Sequence, residues 1–399
     1  MGTSIPANRL ISNFLKTMLN TMGLERQHLR WIQKRLAAIL TAMALKGFTA
    51  KTTDIEEISG CHRTTISRFL SGKRGRWDDE PIRLYIQEKS FKHIQELSKM
   101  SNAPMFISFD DTVNVKTKPS SQAERPIEKA GFHHSHLLNK QVWGHQVMAA
   151  MISCGETALN YDIHRYDKTK QSKIAYVKEL ISGLPVPETA AYFLTDSWYT
   201  NGGIIDACAK RGYHFIGAMK TNRIIYPQGI HISIAEFAAK YIEKNDVDLV
   251  TVNNAKYYVY RYEGKLNGIE NAVVLISWPV SAFKNPKALR AFICSDISLE
   301  TGAILEYYAQ RWKIETFFAL SKDTVGFGKY QIRSIKGIER LWTIMSLFHL
   351  LCTTGLGSDM AFGDGVRFLR NNIVKERIGY IYQYAQNNVP LEDIYALCI

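Results

Sequence analysis

Apolar residues along this chain follow two periods, and the change from one to the other divides it. From about Glu25 to Lys46 they return at helical spacing, with Trp31, Leu36, Ile39, Leu40 and Met43 on one stripe. Ile55, Ile58, Ile66 and Phe69 then mark two short helices on either side of Gly60, which predicts a helix-turn-helix. Arg63, Thr64, Thr65, Ser67 and Arg68 fall on its outer side, where small polar and guanidinium side chains reach base edges and phosphates. An ordinary helical pair carries the same pattern, and Glu56 stands where such motifs usually have a small residue. Lys73 and Arg74 directly afterwards add phosphate-binding capacity.

Beyond about Ser101 strand-like runs take over. Met105 to Phe109, before Asp110-Asp111-Thr112, and Tyr192 to Thr195, before Asp196, read as buried strands that end in carboxylates. Trp143 to Ser153 and Ala158 to Arg165 read as strands, Asn114 to Lys140 as a loop or irregular hairpin, and Lys173 to Ser182 and Gly203 to Arg211 as helices, with the strand Tyr213 to Met219 after them. Strands first and then alternation with helices predict an α/β sheet, whose ligands collect at the carboxyl ends of its strands. From Lys220 to about Asp296 the chain is β-rich, notably over Asp248 to Val252, Tyr257 to Tyr262, Ala272 to Trp278 and Leu289 to Cys294. Leu341 to Leu356 is apolar but too short for a bilayer and reads as a buried helix.

Between these stretches lies Tyr308-Tyr-Ala-Gln-Arg311-Trp-Lys-Ile-Glu315-Thr-Phe-Phe-Ala-Leu-Ser-Lys322. On a continuous helix Tyr308, Arg311, Glu315 and Lys322 share one stripe about 60° wide that faces away from the core, while Tyr307, Ile314, Phe317 and Phe318 gather opposite. One carboxylate among two cations and a phenol suits a divalent ion beside phosphate oxygens. The same residues also make an ion-paired solvated face.

Charge adds a direction. The formal net charge is +13, and residues 1–100 hold 17 Lys or Arg against 9 Asp or Glu, so +8 of it lies in the first quarter. Such a skew points to a polyanionic partner, most simply DNA. Cys61, Cys154, Cys208, Cys294, Cys352 and Cys398 are scattered, which argues against a zinc site or a disulfide framework and for a reducing cytoplasm. The N-terminus lacks the order of a signal peptide, and His133-His-Ser-His136 lacks a second ligand set.

The Tyr308, Arg311, Glu315 and Lys322 spacing, with Arg311-Trp-Lys-Ile-Glu315 and Phe317-Phe318, resembles the signature helix of bacterial insertion-sequence transposases of the DDE type, known by the letters Y, R, E and K. The resemblance implies an RNase H-like catalytic domain in which Asp110, Asp196 and Glu315 hold two divalent ions, Mg²⁺ with Mn²⁺ as a substitute. Asp111 remains the alternative to Asp110, because neighbours on a strand point to opposite faces. Tyr308, Arg311 and Lys322 are then DNA contacts, and Lys220 and Arg223 match a basic patch of the family or form a solvated turn. Trp278 is a candidate for stacking on an unpaired base, or a core residue.

The implied organisation is a helical DNA-binding region over 1–100, an RNase H-like domain over 101–220 and 297–345, a β-rich insertion over 221–296, and a helical region over 346–399. The implied activity is cut-and-paste transposition on double-stranded DNA, with a hairpin step, by a homodimer without membrane attachment. A DNA-binding regulator without turnover and a stand-alone nuclease of the same fold are the rival readings.

Overall fold

The computed structural model describes residues 8–22, 26–72, 77–135 and 139–398. Five helices come first: α1 (Arg9–Thr21), α2 (Arg26–Ala44), α3 (Thr52–Ser59), α4 (Arg63–Ser71) and α5 (Glu80–Ser101). Gly60 ends α3 in the left-handed region, at φ 66, where a side chain would be strained. Ile55, Ile66 and Phe69 are buried between the helices, and His62 caps α4 by accepting the Thr64 N–H.

A sheet then builds in chain order from β1 (Met105–Val115), β2 (Gly131–Ser135), β3 (Lys140–Cys154) and β4 (Thr157–Arg165). Helix α6 (Lys173–Gly183), β5 (Ala191–Thr195), α7 (Gly202–Lys210) and β6 (His214–Met219) follow. The strand β3 lies antiparallel between β4 and β1, whereas β1, β5 and β6 run parallel. The helices α6 and α7 supply the crossovers that parallel strands need.

The β-rich stretch comprises β7 (Ile224–Ile225), β8 (Ile232–Ser233), the helix α8 (Ile234–Lys240), β9 (Asp248–Val252), β10 (Ala255–Leu266), β11 (Ile269–Pro279) and β12 (Arg290–Cys294). It continues the same sheet, because β12 pairs antiparallel with β6 and hands on to β11 and β10. The chain closes with α9 (Thr301–Ala309), α10 (Trp312–Thr324), α11 (Ile335–Thr354), α12 (Phe362–Gln386) and α13 (Leu391–Cys398).

Two apolar clusters cover the two faces of the sheet. The larger joins the N-terminal helices, one face of the sheet and α11; the smaller packs Phe106, Tyr192, Leu194, Ile216 and Leu275 under α9. Helix α11 is buried along nearly its whole length and carries Arg340, which is 1% exposed. Its guanidinium donates to the carbonyls of Phe69 (3.2 Å), Leu70 (3.1 Å) and Trp77 (2.5 Å) and pairs with Asp79 at 3.1 Å. The carbonyl end of α4, which attracts a cation, is thereby pinned to the rest of the molecule. No described helix is long and apolar enough to cross a membrane.

Two expectations change and one alternative is settled. Asp110 does not end its strand but lies in the middle of β1, because antiparallel pairing with β3 continues as far as Val115. Of the loop or irregular hairpin expected over Asn114 to Lys140, the hairpin is found, since β2 pairs antiparallel with the start of β3. The signature residues do not share one helix: 3₁₀-type bonds at Gln310, Arg311, Lys313 and Ile314 tighten the backbone and separate α9 from α10.

Candidate active site

The register between β1 and β5 builds the site. Phe109 is paired with Thr195 in parallel, so the next residues, Asp110 and Asp196, stand side by side where the two strands part. Asp196 opens a turn in which its Oδ1 accepts the Trp198 N–H at 2.9 Å. Burial, and then the charge of Asp196, push the Asp110 carboxyl up to about 7.

Arg311 connects this pair to α10. One guanidinium nitrogen lies 3.2 Å from Asp110 and another is bonded to Glu315, while its Nε is buried with no partner among the described residues. The side chain is only 13% exposed and turns toward β1, so the expected outward stripe is in fact aimed at the sheet edge. Tyr308, on α9, packs against Phe292 with ring centroids 4.8 Å apart and lies beneath the Arg311 guanidinium at 5.7 Å. Burial raises its phenol. The Lys322 Nζ donates to Thr112 at 2.8 Å, and burial lowers its ammonium.

The two faces of β1 differ in their partners. Even-numbered residues face α10 and the segment after it: Asp110 meets Arg311, Thr112 meets Lys322, Asn114 donates to the Phe327 carbonyl at 3.1 Å, and Lys116 donates to the carbonyls of Gly328 (2.8 Å) and Tyr330 (2.6 Å). Asp111 points the other way. It accepts from Gln146 (2.5 Å), Lys173 (2.7 Å) and the Tyr199 hydroxyl, and Tyr199 also packs edge-on against Phe109. Its oxygens are thus committed to a clamp that fastens the Asp196 turn to β1.

The profile of the transposase DDE domain family matches residues 105–351, the interval that contains this cluster. This chain belongs to that family. No curated protein matches the chain. Among solved structures it is similar to a piggyBac transposase, determined by cryo-EM as a synaptic complex with hairpin DNA. The sequence identity is 13%, the match covers 92% of this chain and 77% of that chain, and the TM-score is 0.48.

The DDE domain therefore gathers Asp110, Asp196, Arg311 and Glu315 at one sheet edge, with Lys322 and Tyr308 beside them. Among the described residues no three His, Cys, Asp or Glu side chains converge closely enough to hold one ion. Asp110 and Asp196 are two adjacent hard donors, and Glu315 is engaged by Arg311. Lys220 is exposed and Arg223 half-buried beyond the end of β6, which runs parallel to β5 and ends at the same edge.

Arg63, Thr64 and Arg68 lie outside the cluster, on the exposed side of α4; Arg63 approaches Glu56 at 4.0 Å, a solvated pair worth little. Lys73 and Arg74 lie outside the described residues. Trp278 is 2% exposed and packs against Phe283, so it is a core residue and offers no face to a base. The exposed indoles at this edge are instead Trp198, two residues after Asp196, and Trp312, next to Arg311. Trp312 stands inside the signature motif without a role assigned to it, and nothing in periodicity or motif singled out Trp198.

Proposed function

We propose that this chain is the transposase of a bacterial insertion sequence, with an RNase H-like catalytic domain and the Y-R-E-K signature at Tyr308, Arg311, Glu315 and Lys322. It binds the terminal repeats of its element as a homodimer, in the cytoplasm on the nucleoid, and excises and joins them by cut-and-paste chemistry. The observation that carries this reading is the juxtaposition of Asp110 and Asp196 just beyond the last parallel pair of β1 and β5, bridged by Arg311 to Glu315, within a DDE domain.

DDE domains use divalent ions, and the donors here suit Mg²⁺, since the raised proton affinity that Asp110 owes to burial and to the charge of Asp196 would be relieved by a shared dication. Asp110 and Asp196 would hold it, with Glu315 joining once Arg311 releases it. Ions bound there would activate a water or a 3′-hydroxyl for in-line attack and stabilise the leaving oxygen. Arg311 can exchange its contact with Asp110 for a phosphate oxygen, and its unpaired Nε offers a further donor. Lys322, anchored on Thr112, would hold a neighbouring phosphate and so fix the strand before reaction. The exposed Arg63, Thr64 and Arg68 of α4, as the second helix of a helix-turn-helix, would read the repeats.

A strand-transfer assay tests this, using a duplex taken from the inverted repeat that borders the gene. Wild-type protein with Mg²⁺ should yield joined products, whereas Glu315→Gln and Asp196→Asn should bind the duplex without cutting it. Nicks without joining would replace the reading by a nuclease, and binding alone by a regulator. Full cleavage by Glu315→Gln would sink the assignment of the three carboxylates.

A further inference from the structure

Where β1 leaves the catalytic edge, its even-numbered face runs into an open cleft of about 1190 Å³. One wall is the end of β1 and the loop after it, another is the segment 328–333 that follows α10, and the third is formed by Thr49 and Lys51 just before α3. The walls are fastened together. Lys116 ties the first to the second through the Gly328 and Tyr330 carbonyls. Gly326, at φ +61, brings the chain after α10 so close to Thr49 that a Cβ there would lie 3.0 Å from the Thr49 carbonyl carbon.

The lining is strongly one-sided in charge: Lys51, Lys116, Arg125, Lys329 and Arg333 stand against Glu124 alone. Arg125, Lys329 and Arg333 are exposed, and no ion pair or hydrogen bond from their side chains is found among the described residues. Fixed walls with unneutralised cations are what a phosphate backbone requires, and an apolar or cationic partner would gain nothing here.

We infer that this cleft is a phosphate-binding track that carries the DNA backbone between the catalytic edge and the N-terminal helices. The inference rests on the transposase reading. Lys116, just past the end of β1 with its N–H bonded to the Trp143 carbonyl at 2.7 Å, lies six residues beyond Asp110. At about 3.3 Å per residue the separation is roughly 20 Å, or about six base pairs at 3.4 Å each. The track touches backbone and not bases, so it sets register without reading sequence.

The test compares wild type with Arg125→Gln/Lys329→Gln/Arg333→Gln on two probes, the terminal-repeat duplex and a random-sequence duplex of equal length. The triple variant should weaken binding to both by a similar factor. Its slope of log affinity against log salt should be shallower by about 0.9 for each phosphate that it no longer neutralises. Ethylation of phosphates about six base pairs from the cleavage position should block wild-type binding and have no further effect on the variant. Unchanged affinity and slope in a variant that melts like wild type would overturn the track while leaving the transposase reading intact. A loss confined to the terminal repeat would overturn it too, because it would indicate base readout. Wild-type protein that binds neither duplex would overturn both readings, and competition by an acidic peptide alone would assign the cleft to a protein partner.

Discussion

Replacing Asp110 by Asn should stabilise the metal-free protein at neutral pH while abolishing cleavage. Asp110 is held at about 7, against 3.8 for an ordinary aspartate, by burial and by the charge of Asp196. The folded state therefore binds a proton over that interval which the unfolded state has lost. Stability from this group is complete below about pH 4 and is lost as pH rises through about 7. The full interval corresponds to roughly 4 kcal/mol. The Asp110 side chain is 21% exposed and Arg311 already screens it, so a gain of about 1 to 3 kcal/mol is expected for the variant above pH 7. The assay is thermal unfolding in EDTA over a range of pH. Wild type and variant should melt together near pH 4 and diverge by a few degrees at about pH 8, with the variant higher. Adding Mg²⁺ should raise the melting temperature of the wild type and close the gap, because on the proposed reading only the wild type would bind the ion at that position. A variant less stable than wild type at pH 8, or a gap that does not change with pH, would refute the account of the carboxylate pair.

Two further substitutions probe the supports of the site. Asp111→Asn should behave oppositely to Asp110→Asn: it leaves Lys173 without its carboxylate and loosens Tyr199, at a cost of about 3 kcal/mol, and single-turnover cleavage measured well below the melting temperature should persist. Arg340→Met strips its hydrogen bonds from the Phe69, Leu70 and Trp77 carbonyls and should cost about 3 to 5 kcal/mol by thermal unfolding. Below its melting temperature this variant should lose preference for the terminal repeat over random DNA, since α4 is no longer fixed against α11.

Much of this arrangement was legible because it is local. The strand and helix segments between Trp143 and Cys294 follow from runs bounded by turns, and most of the expected boundaries fall within three residues of those observed. Asp196 could be read as strand-terminal because β5 is short, buried throughout and followed at once by a turn. Asp110 could not, since the polar residues after Phe109 hide six further residues of strand whose pairing with β3 is non-local. The break between α9 and α10 carries no Pro or Gly to announce it; packing of Tyr307 on Phe106 and Tyr192 directs α9 to one side of the sheet edge, and Phe317 and Phe318 direct α10 to the other. Trp278 misled for a different reason. An indole signals stacking capacity whether it lies inside or outside, and only the pairing of β11 between β10 and β12 decided that it is buried.

The alternation of β1 also explains why two adjacent aspartates serve different ends. A strand offers one face to each layer, so a residue that must present its carboxylate to an ion needs its neighbour to hold the backbone in place from behind. Asp111 does this by binding Lys173 and Tyr199, and Tyr199 lies three residues after Asp196. The clamp thus sets the spacing of the two carboxylates on the opposite face. On that face the repulsion between Asp110 and Asp196 is offset only in part by Arg311, which divides itself between Asp110 and Glu315. A divalent cation held by Asp110 and Asp196 would supply the missing charge, and an arriving phosphate would attract the same guanidinium. The two events favour each other: each leaves the other's partner underneutralised, so metal and DNA should each bind more tightly when the other is present.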